Sequence, residues 1–208
     1  MADALTASDA ALIDCSQGVE LLELSGHEGH NHDAEYDPHI WMDPLRAAQM
    51  VQTICDNLCL LDSANADRYR SNTEIAIQHL NDLYYTWSDI FLHLDGPYLI
   101  TFHEGFSYLA EAFHFKILCS IEEEEGSEIS AKEIAEIDQL IRSYDLPAIF
   151  TEENGSDVSA LAIARDTGVE IHSLSMVMSG EEDNIYPYLS AIDQNMATIL
   201  EAMEATVS

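Results

Sequence analysis

The 208 residues suffice for one large domain or two small lobes with a real core, and a 47% hydrophobic content excludes a disordered chain. Acidic residues number 39 against 7 basic ones, a formal net charge of −32. That balance repels nucleic acid and anionic membranes and makes divalent cations the natural small partners, although a solvated, salt-adapted coat has the same composition. No apolar run approaches the ~20 residues of a membrane span, and residues 1–7 lack the basic region and apolar core of a secretion signal. The chain is therefore expected either to be cytosolic or to have lost a targeting segment.

In chain order, residues 2–11 read as a short helix and residues 11–15 as strand-like, followed by a turn at Gln17-Gly18. Residues 25–36 form a polar loop without apolar periodicity. Its three histidines, His27, His30 and His32, can collect a soft or borderline cation. Next comes Asp37-Pro38-His39-Ile40-Trp41-Met42-Asp43-Pro44. Two prolines fence His39, each fixing φ and biasing the residue before it towards extended geometry. The result is a stiff turn presenting one imidazole, with Asp37 and Asp43 close enough to orient it. Such a histidine suits metal ligation, which needs an acceptor on the other ring nitrogen; a rigid turn with an exposed histidine is the plainer alternative.

From Pro44 the apolar residues Leu45, Ala48, Val51, Ile54, Cys55, Leu58 and Leu61 keep a 3.6-residue period, with Asp43 as N-cap. Residues 62–65 break it, and residues 67–94 form the longest helical candidate, ~40 Å at 1.5 Å per residue. Cys55 and Cys59 stand four apart on this first helix and face the same side. With Cys15 and Cys119 they fit no zinc-ribbon spacing and read first as buried thiols, second as a disulfide, leaving the redox compartment open.

Beyond Asp95-Gly96-Pro97, strands at 98–102, 115–119, 148–151 and 169–174 alternate with helices at 107–113, 131–144, 157–166 and 186–205. An acidic loop at 122–125 follows the second strand, Ser130 caps one helix and Gly168 ends another. Alternation of this kind predicts an α/β fold, a parallel sheet with helices on both faces. His103 follows the first of these strands, and the carboxyl ends of strands are where ligands bind in such sheets.

Taken together, the motifs resemble the extracytoplasmic metal-binding proteins of zinc and manganese ABC importers. Asp37–Pro44 resembles their D-P-H-x-W-x-D-P segment, and the preceding loop resembles the histidine-rich loop of zinc members. Leu99-Ile100-Thr101-Phe102-His103-Glu104-Gly105-Phe106-Ser107-Tyr108 resembles the strand-end segment that supplies a ligand from the second lobe. Ser130-Ala131-Lys132-Glu133-Ile134 and Ile149-Phe150-Thr151-Glu152 match further segments.

The resemblance implies a zinc-type solute-binding protein that holds Zn²⁺, with Mn²⁺ as the other candidate, through His39 and His103 and hands it to a membrane permease without chemistry of its own. Extracytoplasmic placement of the full-length protein follows from it, with no membrane insertion by this chain. Residues 1–62 would be a remnant of the N-terminal lobe, 63–94 a long linking helix and 95–208 the C-terminal α/β lobe, since members carry a further first lobe and ligand. In the last loop, where many members place an Asp, this chain has Ile171-His172-Ser173-Leu174-Ser175-Met176; His172 is either a substitute ligand or a strand residue facing solvent. Two rivals are an acidic, histidine-rich cation buffer without a tight site, and a zinc hydrolase using Glu104 as base. The second lacks an H-E-x-x-H helix.

Overall fold

The computed structural model describes residues 10–24, 36–94, 96–121, 129–155, 158–180 and 183–204. Helix α1 (Pro44–Leu61) starts where the sequence signals it: the Asp43 carboxylate accepts from the Leu45 N–H at 2.7 Å, and Pro44 sits in the first turn. A 3₁₀ turn at Ser63–Asn65 reverses the chain into α2 (Ala66–Phe91), 26 residues long. The two helices pack through Ala47 and Ala48 against Leu80, small side chains allowing close approach.

Four strands follow: β1 (Tyr98–Phe102), β2 (Lys116–Ile121), β3 (Ala148–Glu152) and β4 (Glu170–Leu174). They alternate with α3 (Ser107–Ala112), α4 (Ala131–Tyr144), α5 (Val158–Thr167) and α6 (Tyr186–Glu204). All strand pairs are parallel, in the order β2-β1-β3-β4. Side-chain alternation along the strands divides the core. Leu99, Ala148, Phe150 and Leu174 face a cluster with Trp87, Phe91, Tyr108, Ile192 and Met196, from α2, α3 and α6. Ile100, Phe102 and Ile149 face Ile137, Ile141, Ala160 and Ile163, from α4 and α5. Helices thus cover both faces, as expected of a parallel sheet.

The connection after β1 runs through α3 on one face to β2, whereas that after β3 runs through α5 on the other face to β4. The crevice between the carboxyl ends of β1 and β3 is therefore the topological switch point, where ligands bind in open α/β sheets. His103 stands at its mouth. On the opposite flank, Ile40 and Met42 of the Asp37–Pro44 segment join the same core cluster as α2, α3 and α6.

The strand expected at residues 11–15 is not one. Residues 11–14 are irregular and Cys15 opens a turn, because Asp14 Oδ1 accepts from both the N–H (3.0 Å) and the hydroxyl (2.6 Å) of Ser16. That local bonding competes with extension. Residues 10 and 11 are not helical; the remainder of the helix expected at 2–11, and the acidic loop at 122–125, lie outside the described residues.

Candidate metal centre

Hydrogen bonds to several other elements pin the Asp37–Pro44 segment. The Asp37 N–H donates to Leu22 O (2.9 Å), and its carbonyl accepts from the Tyr108 hydroxyl (3.0 Å), whose oxygen in turn accepts from the Leu22 N–H (3.0 Å). Trp41 donates its indole N–H to Met176 O at 3.0 Å, and its carbonyl accepts from the Tyr188 hydroxyl at 2.7 Å. Arg46 bridges Asp43 and Glu111, both at 2.8 Å, with its guanidinium 5.0 Å from the Tyr108 ring centroid. Those two carboxylates raise the Arg46 pKa, against the opposing effect of burial. The 3₁₀ turn Ile40–Met42, buried through Ile40 and Met42, then leaves the His39 ring projecting from a fixed base.

Within this base, Asp37 is 2% exposed. Its Oδ1 accepts the His39 main-chain N–H at 2.8 Å and lies 2.7 Å from His39 Nδ1. A carboxylate oxygen only accepts, so Nδ1 carries the proton and the Nε2 lone pair is left pointing outward. His103 comes from the other side of the crevice. Its N–H donates to Ile121 O at 3.0 Å, and its φ of +84° turns the chain sharply as β1 ends. Gly105 lies so close to the Met176 methyl and thioether and to the His103 ring that a Cβ there would collide with them.

These two supports bring His39 Nε2 and His103 Nε2 to 3.4 Å, with the rings nearly perpendicular at 85° and their centroids 5.1 Å apart. A direct N–H···N hydrogen bond would prefer ~2.9–3.0 Å. Two nitrogens bound tetrahedrally to zinc at ~2.0–2.1 Å stand ~3.3–3.4 Å apart. The separation therefore fits two imidazoles sharing one cation better than it fits a histidine–histidine hydrogen bond.

His172 is not brought to this pair. It lies on edge strand β4, in register with Phe150, with its ring nitrogen 3.2 Å from Glu170 Oε2. Strand spacing puts it ~10 Å across the sheet from β1. Among the described residues no third His, Cys, Asp or Glu joins the two histidines in a metal-sized group. His27, His30 and His32 lie outside the described residues. Sequence reading missed the supports: Tyr108 and Met176 stood in quoted segments without a role, and Tyr188 gave no signal.

A doubly wound parallel sheet presenting two converging imidazole nitrogens at its switch point defines an α/β protein with a candidate metal centre. The chain belongs to the family of the periplasmic zinc-uptake complex component A, ZnuA, which matches residues 1–202. A putative metal-binding protein of Treponema pallidum is 26% identical over 209 residues, covering 97% of this chain and 66% of that protein. The zinc-binding lipoprotein AdcA of Streptococcus pneumoniae is 26% identical over 182 residues, covering 86% of this chain and 36% of that protein. Among solved structures, Streptococcus pneumoniae AdcAII superimposes with a TM-score of 0.79 at 29% identity, over 95% of this chain and 72% of that one. A crystal structure of ZnuA gives 0.76 at 27% identity, over 91% and 69%. The chain thus spans between about a third and two thirds of the length of these two curated relatives. Among the described residues no helix is long and apolar enough to cross a membrane.

Proposed function

We propose that this chain is the cation-capturing part of an extracytoplasmic zinc-binding component of an ABC importer, with Zn²⁺ as cargo rather than resident cofactor. The observation that carries the reading is the 3.4 Å separation of His39 Nε2 and His103 Nε2. In this reading residues 1–62 close a first lobe, 63–94 link it to the second and 95–208 form the second. The ion is held between His39, on the pinned turn, and His103, at the carboxyl end of β1. The donor set supports zinc over manganese, because imidazole suits zinc and hard oxygen donors suit manganese. Family membership supports delivery to a membrane permease. No catalytic step enters: the protein binds, presents and releases.

Zinc titration calorimetry on this chain beside His39→Ala and His103→Ala tests the reading. One tight site lost in both variants is the expected result. Several weak sites indifferent to both changes would instead support a cation buffer built from the acidic coat and the loop carrying His27, His30 and His32.

A further inference from the structure

Helix α1 carries a second pair of convergent metal-binding side chains. Cys55 and Cys59, four residues apart, place their Sγ atoms 4.0 Å from each other. Cys55 is 2% exposed and Cys59 half-buried, so the pair is reached from the Cys59 side. The Cys59 sulfur also lies 3.6 Å from the carbonyl oxygen of Ala66, the first residue of α2. Along the helix, Cys55 is ~17 Å from the turn that carries His39, well outside that centre.

Two chemistries could use such a pair, and the helix discriminates between them. A disulfide needs Cβ atoms ~3.5–4.5 Å apart, whereas residues at i and i+4 of a helix hold theirs at ~5–6 Å. Forming the bond would mean unwinding a turn of α1. A bridging cation needs no such change. Thiolates at ~2.3 Å from a metal and 4.0 Å from each other subtend an angle of ~120°, between tetrahedral and linear. Low-coordinate, thiolate-rich geometry of that kind favours soft d¹⁰ cations.

We propose that Cys55 and Cys59 form a dithiolate site for one soft d¹⁰ cation, of which Cu(I) is the probe, separate from the histidine centre. Binding replaces two S–H bonds by two S–metal bonds and releases two protons to solvent; nothing is oxidised or reduced. Burial, and then the neighbouring Cys55 thiol, push the Cys59 pKa up, while the Arg70 charge opposes them.

The test is anaerobic titration of the reduced chain with Cu(I) held by a chromophoric bicinchoninate chelator. Wild type should withdraw one equivalent. Cys59→Ser and Cys55→Ser should each abolish that withdrawal, because a hydroxyl is a poor ligand for a soft cation, while Cys15→Ser, Cys119→Ser and His39→Ala retain it. Cys59 is half-buried, so its variant keeps the conclusion open to test if Cys55→Ser disturbs the helix; circular dichroism identifies that case. Uptake unchanged in Cys59→Ser, or lost in His39→Ala alone, overturns the proposal. So does quantitative formation of a Cys55–Cys59 disulfide by oxidised dithiothreitol with helix content intact.

Discussion

Asp37 Oδ1 accepts twice from one residue, taking the main-chain N–H of His39 at 2.8 Å and its Nδ1–H at 2.7 Å. The other carboxylate oxygen, Oδ2, is buried without a hydrogen-bond partner, so both hydrogen bonds the carboxylate accepts come from His39. Acceptors of this kind fix the tautomer and raise the basicity of the ligating nitrogen. Asp37→Ala should weaken zinc binding by ~10–100-fold, read by competition against a chromophoric zinc chelator. Asp37→Asn, which keeps an acceptor oxygen but not the charge, should fall between the two. Equal affinity in all three proteins would remove the carboxylate from the site.

Tyr188 supports the same turn from α6, its hydroxyl donating to Trp41 O at 2.7 Å. Burial and the nearby Asp43 charge push its ionisation well above the usual tyrosine range, so the hydroxyl keeps its proton to donate around neutral pH. Tyr188→Phe leaves the Trp41 carbonyl short of that partner and should cost ~1–2 kcal/mol in urea unfolding. Trp41 fluorescence should shift if the indole loses its register with Met176 O. An unchanged midpoint and spectrum would mean the bond is dispensable.

His103 occupies a backbone region, φ +84°, that side chains rarely adopt. Glycine carries no such penalty, so His103→Gly should be more stable than His103→Ala by ~1 kcal/mol. Both should lose the zinc site. Equal thermal stability of the two variants would show that the turn stores no strain.

Gly105 sits against the Met176 side chain and has the His103 ring at 3.0 Å from where its Cβ would be. Met176 can yield at its flexible end, but it is only 4% exposed and has little space to move into. Gly105→Ala should therefore displace the thioether and tilt the imidazole, weakening zinc binding by ~10-fold, the lower end of what disturbing a ligand's support costs. Crystals of the variant with His103 unmoved would contradict this.

At the start of α4, Ser130 Oγ accepts from the Glu133 N–H at 3.3 Å and Glu133 Oε2 accepts from the Ser130 N–H at 2.9 Å. Interaction of the Glu133 carboxylate with the Ser130 hydroxyl, and then with the Ser130 N–H, holds its pKa below the ordinary value. A depressed carboxylate stabilises the fold above its unfolded pKa, and the contribution is lost as pH falls through the folded one. Ser130→Ala should cost ~1 kcal/mol near neutrality. The gap from wild type should narrow in acid, with zinc binding untouched. A gap that stays constant with pH would separate the cap from the carboxylate.

How much of this was legible in the sequence depends on the range of the interaction. Asp43, Pro44 and the 3.6-residue period announced α1, and the Ser130–Glu133 pair announced α4, because their causes lie within a turn or two of chain. Strand–helix alternation announced the parallel sheet. His39 was singled out by its proline-fenced turn and His103 by its place at the end of a strand, and motif resemblance joined them; spacing could not have joined residues whose rings meet across 64 positions. The same limit hid the supports: Tyr108 reaches Asp37 across 71 residues, Met176 reaches Trp41 across 135 and Tyr188 reaches Trp41 across 147. His172 was ambiguous because a strand's sequence does not reveal how many strands separate it from the ligand crevice. The Asp14–Ser16 bonds defeated the strand pattern before any partner strand was at issue.

The most direct test of the central claim is anomalous diffraction at the zinc absorption edge from crystals of this chain grown with one equivalent of zinc. A single strong peak with His39 Nε2 and His103 Nε2 both at ~2.0–2.1 Å is the predicted result. A peak bound by only one of the two, or found on the acidic surface with the histidine pair still 3.4 Å apart and empty, would contradict it.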